Sequence, residues 1–154
     1  MKKLIMLAML MASTTSTMIY AQASDITGLW RSMDDKTGFS NGLVRVQQDK
    51  DGTYSGTVEK IFDRPNRETR TICQQCPAPF KDQPILGMKV IWGLSPDRQD
   101  ENTYIGGYII DPATGKIYRN KLRLSKDGRR LTNRGYVGVS MVGRSQVWLR
   151  ESEK

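Results

Sequence analysis

The last third of the chain, residues 106–150, repeats one pattern: short runs of alternating apolar and polar residues separated by tight-turn signals. Asp127-Gly128 stands between two such runs. It strongly predicts a β-hairpin, because a type I′ turn needs positive φ at both central residues. Pro112 fixes its own φ and Gly115 can adopt positive φ, so residues 111–115 also predict a turn. This part of the chain is therefore expected to form antiparallel strands.

The same rhythm extends upstream and predicts eight strands in all, joined mostly by short turns. The expected strands are residues 26–31, 41–47, 53–62, 88–94, 106–110, 116–124, 131–137 and 145–150. Residues 63–86, the proline-rich loop, interrupt the rhythm with four prolines. A sheet of this size with one apolar face is marginal if left open, and closure removes its edges. We predict one all-β domain, a single antiparallel up-and-down barrel of about eight strands.

Counting every second residue places one set of side chains inside the barrel: Tyr54, Val58, Tyr108, Tyr118 and Leu122. Eight strands leave little room, so these side chains either fill the interior or line a small cavity. Gly56 and Gly106 fall on the same faces and add no volume. We therefore expect a narrow cavity beneath the proline-rich loop. Its candidate ligand-binding residues are Tyr54, Tyr108, Tyr118 and Leu122.

The N-terminus has the three parts of a secretory signal peptide. Met1-Lys2-Lys3 is basic, residues 4–11 are apolar, and Ala21-Gln22-Ala23 is a small-x-small cleavage site. The apolar run is too short to span a bilayer. We expect residues 1–23 to be removed, residues 24–154 to form the barrel domain, and the mature protein to be periplasmic or secreted with no transmembrane segment. No cysteine lies near the cleavage site, so lipidation is not expected.

Positive charge is concentrated at the C-terminal end of the chain. Residues 116–150 contain ten Lys or Arg and one acidic residue, Asp127, for a net charge of +9. In an exported protein this favours an anionic envelope surface over nucleic acid as a partner. The alternative is that these residues form the solvated outer faces of strands.

The chain contains no histidine. This excludes histidine-dependent triads and imidazole metal sites, and we expect no catalytic residue, metal or cofactor. Gly38-Phe39-Ser40-Asn41-Gly42 matches a nucleophile elbow in its letters, but the elbow needs a histidine partner and a strand-turn-helix context. We interpret this segment as part of a hairpin.

Cys73 and Cys76 are the only cysteines. In an oxidising compartment two cysteines usually pair, and a bond here would staple the proline-rich loop. A redox-active dithiol is less favoured because the motif lies in a loop and not at a helix N-terminus. A metal or haem site would need further ligands.

Six segments give the chain a resemblance to a bacterial family of small exported proteins, domain of unknown function 2147. They are Gly28-Leu29-Trp30, residues 73–76, 84–87, 106–112, 115–118 and 143–150. The resemblance implies an exported lipocalin-like, or calycin-like, barrel with no assigned activity. It also implies that Gly28 and Trp30 form the lipocalin Gly-x-Trp motif and that Arg150 is the arginine that packs over that tryptophan and closes the barrel.

Together these expectations favour an exported, non-enzymatic protein that carries or senses a small apolar or amphiphilic ligand. The alternative is a ligand-free module that binds anionic glycolipid or lipid headgroups through a basic outer face. Thiol-disulfide chemistry at Cys73 and Cys76 is a third hypothesis.

The signal peptide generates the first prediction. When the full chain is expressed in a bacterial host, the exported protein should begin at Ser24, because Ala21-Gln22-Ala23 places small side chains where the signal peptidase binds. Intact-mass measurement with N-terminal sequencing checks this. A mature N-terminus elsewhere would move the cleavage site, and retention of residues 1–23 would contradict processing altogether.

Overall fold

Eight antiparallel strands form one closed barrel in the computed structural model, which describes residues 25–65, 68–139 and 141–152. The strands are β1 (Gly28–Met33), β2 (Ser40–Gln48), β3 (Tyr54–Ile61), β4 (Lys89–Pro96), β5 (Thr103–Ile110), β6 (Ile117–Leu124), β7 (Arg130–Tyr136) and β8 (Gly143–Arg150). This confirms the predicted fold class. The expected signal peptide, residues 1–23, lies outside the described residues.

Each strand pairs with its neighbours in sequence, and β1 pairs with β8 to close the barrel. The predicted turns are present: Gly115 and Gly128 have φ of 70° and 67°. Inward and outward side chains alternate as a half-buried strand requires, for example at buried Val44 and Val46 of β2. No helix in the described part of the chain is long and apolar enough to cross a membrane.

One end of the barrel is filled with side chains. Buried residues there come from most of the strands and from the segment before β1: Ile26, Trp30, Val46, Tyr54, Leu94, Tyr104, Leu122, Leu124 and Leu131. The Trp30 indole N–H donates to the Ile26 carbonyl oxygen at 2.9 Å, which folds the chain entry under the barrel. We call this the closed end.

Arg150 holds the closed end together. Its guanidinium lies 4.2 Å from the Trp30 ring centroid and donates to the carbonyl oxygens of Asp25, Thr27 and Gly128 at 2.6–2.8 Å. Burial lowers the pKa of Arg150 below its ordinary value. The β1–β8 seam has only three register pairs, beginning with Trp30 opposite Arg150. The side chain therefore reinforces one of the two ladders with the fewest register pairs in the barrel.

A β-bulge in β5 overturns one expectation. Gly106 has φ of 83°, and the register between β5 and β6 shifts between Tyr104 and Gly107. The extra residue reverses the alternation, so Tyr104 and Gly107 face inward and Tyr108 faces outward. The expectation that Tyr108 and Gly106 lie on the inner face is wrong.

Removing the closed-end clamp should destabilise the protein. Arg150→Ala loses the cation–π contact and leaves three carbonyl oxygens without their donor, so we expect the free energy of unfolding to fall by about 1–3 kcal/mol. Arg150→Lys is the matched control, because it keeps the charge but cannot reach three acceptors with one planar fork. It should lose part of this stability. Urea unfolding checks both, and an unchanged midpoint in Arg150→Ala would contradict the clamp.

Candidate ligand-binding cavity

The half of the barrel opposite the closed end is hollow and holds a cavity of about 760 Å³ that is open to solvent. Its walls are mainly apolar because the inner faces of β2 to β5 and β8 contribute aliphatic or aromatic side chains. These include Val44, Val58, Ile61, Val90, Ile109, Ile110 and Trp148. The volume lies in the range of roughly 300–1,000 Å³ that is typical of small-molecule sites.

A few uncharged polar groups interrupt the apolar wall: Ser32, Tyr118, Asn133 and Gln146. Asn133 accepts a hydrogen bond from the Asn120 side-chain amide at 2.6 Å, and both asparagines are buried. This pair holds the Asn133 amide in place at the wall. The cavity thus combines a large apolar surface with a small number of oriented polar groups, as ligand sites do.

Charged residues surround the mouth of the cavity: Asp34, Lys36, Lys60, Arg64, Glu68, Arg70, Asp111 and Arg144. Asp34 pairs with Arg64 at 3.1 Å, which ties the β1–β2 turn to the proline-rich loop. Burial raises the pKa of Asp34, but hydrogen bonds from the Thr37 backbone N–H and the Arg64 guanidinium outweigh it and lower that pKa to about 2. The carboxylate therefore stays ionised, and the mouth is polar while the interior is apolar.

The proline-rich loop packs against the mouth, with Ile85 and residues 68–70 in the cavity lining. Cys73 and Cys76 are joined by the predicted disulfide, and both are buried. Arg70 donates to the Ala113 carbonyl oxygen across the β5–β6 turn. In the same turn Gly115, with φ of 70°, approaches the Gln75 carbonyl so closely that no Cβ would fit. The loop is thus fastened to the barrel.

Tyr108 contributes to this fastening from outside the barrel. Its ring stacks on Trp92 with centroids 5.9 Å apart, and Trp92 in turn contacts Phe80 of the proline-rich loop at 5.5 Å. Arg119 lies 5.6 Å from the Tyr108 centroid on the other side. Tyr108 therefore belongs to an outer aromatic row that anchors the loop and does not line the cavity.

The other candidate ligand-binding residues are divided between the two halves of the barrel. Tyr118 lines the cavity. Tyr54 and Leu122 face inward but lie in the filled end, outside the cavity lining. The Tyr54 ring packs edge-on against Tyr104 with centroids 4.9 Å apart, and burial raises the pKa of Tyr104 to about 12. Tyr54 and Leu122 therefore fill the barrel, because side chains of this bulk meet where the closed end narrows.

Several cavity residues were not anticipated, notably Ser32, Ile109, Asn133 and Trp148. The alternation along β1, β7 and β8 could have placed Ser32, Asn133 and Trp148 on the inner face. Ile109 could not have been found in this way, because the bulge at Gly106 moves it to the inside. Counting identifies the face of a strand, but it does not tell which end of the barrel is hollow.

The described residues offer little for metal or redox chemistry. Among them, no three Cys, Asp or Glu side chains come together in an arrangement that could hold a metal ion. Cys73 is 0% exposed and Cys76 is 4% exposed, so a thiol partner cannot reach the disulfide without movement of the loop.

A closed eight-stranded barrel with a filled end, an arginine over the Gly-x-Trp tryptophan and a hollow opposite half is a lipocalin-like barrel. The fold is similar to that of protein HP1028 from Helicobacter pylori, described as belonging to the lipocalin family, with a TM-score of 0.70 and 16% identity over 85% of this chain and 86% of that one. The chain belongs to the family described as "Uncharacterized protein conserved in bacteria (DUF2147)", which matches residues 28–150. The sequence matches no curated protein.

The disulfide generates a prediction about the loop. In the double variant Cys73→Ala/Cys76→Ala the barrel should stay folded, while stability falls by about 2 kcal/mol because the short unfolded-state loop is no longer closed. Hydrogen exchange should increase most in residues 68–86, and in β6 and β7 it should increase by no more than the fall in global stability requires. Wild-type protein treated with a reductant is the matched control and should show the same pattern. Unchanged exchange in the loop would show that the other contacts hold it without the disulfide.

Proposed function

We propose that this protein is an exported, non-enzymatic carrier or sensor of a small apolar or amphiphilic molecule held in the open half of the barrel. The observation that carries the proposal is the cavity of about 760 Å³, with aliphatic walls and a charged mouth. An amphiphile would place its apolar body against Val44, Val58 and Ile109 and its polar head among the charged residues of the mouth. Burial of apolar surface at about 25 cal/mol per Å² supplies the driving force.

Gly135 provides a direct way to test the cavity. It lines the cavity, and a Cβ added there would make only ordinary contacts of 3.5–3.7 Å with Tyr118 and Ile109. Its φ is not positive, so a side chain can be added without backbone strain. Gly135→Phe should therefore occupy the cavity in a barrel that still folds. Thr132→Phe is the matched control, since Thr132 faces outward three residues earlier on the same strand.

We predict that a fluorescent fatty-acid analogue binds the wild-type protein saturably. Gly135→Phe should weaken this binding at least about tenfold, because the ring takes the space of the apolar body, whereas Thr132→Phe should bind as the wild type does. Native mass spectrometry of protein purified from its own host should also show a bound small molecule. Absence of binding up to the solubility of the probe, or equal binding by Gly135→Phe, would contradict the proposal.

The alternative function, a ligand-free module for anionic glycolipid or lipid headgroups, rests on a different observation. Arg119, Lys121 and Arg123 project outward from β6, and Lys121 lies directly opposite Arg134 of β7. Like charges in directly opposed positions destabilise a sheet, so a binding role would explain their placement. Gly135→Phe separates the two functions, because a module that acts through its outer face keeps its activity when the cavity is filled.

A further inference from the structure

The turn between β7 and β8 carries a group of exposed apolar side chains at the mouth end of the barrel. We call Val137, Val139, Met141 and Val142 the apolar tip. Their exposed fractions are 64%, 64%, 88% and 65%. Val137 and Val142 also contribute to the lining of the cavity mouth. A contiguous exposed apolar group of this kind marks an interaction site more often than a scattered surface residue does.

Main-chain hydrogen bonds join described residues of the tip. The Val137 N–H donates to the Val142 carbonyl oxygen at 3.1 Å, and the Val142 N–H donates to the Val139 carbonyl oxygen at 3.0 Å. Gly138 supplies the positive φ, 68°, that the turn requires. The Arg134 guanidinium donates to the Met141 carbonyl oxygen at 3.1 Å. These bonds shape the hairpin through main-chain atoms and leave the apolar side chains pointing into solvent.

Basic side chains lie close to the tip. At the mouth end of the barrel the β7–β8 hairpin carries Arg134 and Arg144, and Arg144 pairs with Asp35 of the β1–β2 turn. Arg134 lies at the base of the tip, and Arg119 of β6 lies opposite Tyr136, the residue before the tip. Apolar side chains surrounded by cations complement a surface that offers hydrocarbon below a layer of negative headgroups.

The shape of the tip favours a bilayer over a protein partner. Four apolar side chains on one turn present much less surface than the roughly 1,000 Å² that a stable protein interface buries. A bilayer accepts such a tip without a complementary pocket. The adjacent β1–β2 turn, which Arg144 ties to the hairpin through Asp35, adds Phe39 at 49% exposure and the exposed Lys36.

We propose that the apolar tip inserts into the interfacial layer of a phospholipid bilayer that contains anionic lipid, and that it thereby places the cavity mouth on the membrane surface. This inference goes beyond the proposed carrier function and does not depend on a ligand in the cavity. Gly135→Phe should bind vesicles as the wild type does, so a failure of the carrier proposal and a failure of the docking proposal give different results.

The test uses vesicle flotation with phosphatidylcholine alone and with phosphatidylcholine plus phosphatidylglycerol. The wild type should float with the anionic vesicles. Val139→Ser/Met141→Ser should bind them at least about tenfold more weakly, because it removes two exposed apolar side chains of the tip, neither of which lines the cavity. Val147→Ser/Leu149→Ser is the matched control: both residues are exposed apolar side chains on β8, at 44% and 40%, but lie on the barrel wall. This control should bind as the wild type does.

A second measurement, fluorescence quenching, uses a substitution that leaves the tip apolar. In Met141→Trp, brominated lipids should quench the emission of the added tryptophan, whereas a tryptophan at Val147 should not be quenched. Three results would overturn the proposal: wild-type protein that does not float with anionic vesicles, equal binding by the tip double variant, and tip-dependent self-association without vesicles. If the tip double variant binds as the wild type does and Lys121→Gln/Arg123→Gln abolishes binding, the membrane contact belongs to the basic outer face of β6 instead.

Discussion

The contact between Arg150 and Trp30 closes the barrel, and the rest of the structure depends on that closure. The guanidinium lies over the indole and donates to three carbonyl oxygens from two separate segments of chain. A buried cation is costly unless nearby dipoles compensate it, and here the carbonyls do so. Gly28 makes the contact possible, because its φ is 123° and a Cβ would lie 2.8 Å from the Arg150 Nη1 atom. The Gly-x-Trp motif, the pairing of β1 with β8 and the Arg150 contacts therefore depend on one another.

Closure at one end allows the other end to be hollow. Trp30, Tyr54 and Tyr104 use the bulk of their rings to fill the closed end, so packing there does not require the open half to be filled. In the open half Gly135 contributes no side-chain volume. The barrel therefore combines a close-packed core, which provides stability, with an apolar cavity that side chains do not fill. This is the arrangement that a binding protein needs.

The mouth is held by interactions of a different kind. The Arg144–Asp35 pair links the start of β8 to the β1–β2 turn while remaining partly exposed, and such pairs contribute only about 0–1 kcal/mol each. The proline-rich loop is attached to the barrel by the contact of Phe80 with Trp92 and by the hydrogen bond from Arg70 to the Ala113 carbonyl oxygen, and its disulfide constrains the loop itself. Local unfolding is therefore expected to cost less free energy at the β1–β2 and β7–β8 turns than at the closed end. Ligand entry and contact with a surface both involve this less stable end.

Local patterns in the sequence were sufficient to predict the strands, the turns at Gly115 and Gly128, the closed barrel and the cysteine pairing. The family resemblance added the closing residues Gly28, Trp30 and Arg150. These features depend on residues close in sequence or on a short motif, so they can be predicted from a single amino-acid sequence. The composition of the cavity was decided only in three dimensions. One bulge at Gly106 reversed the faces of β5, and the packing of rings from distant strands filled one end and left the other open. Alternation is a property of a single strand, whereas register and filling depend on all eight strands together.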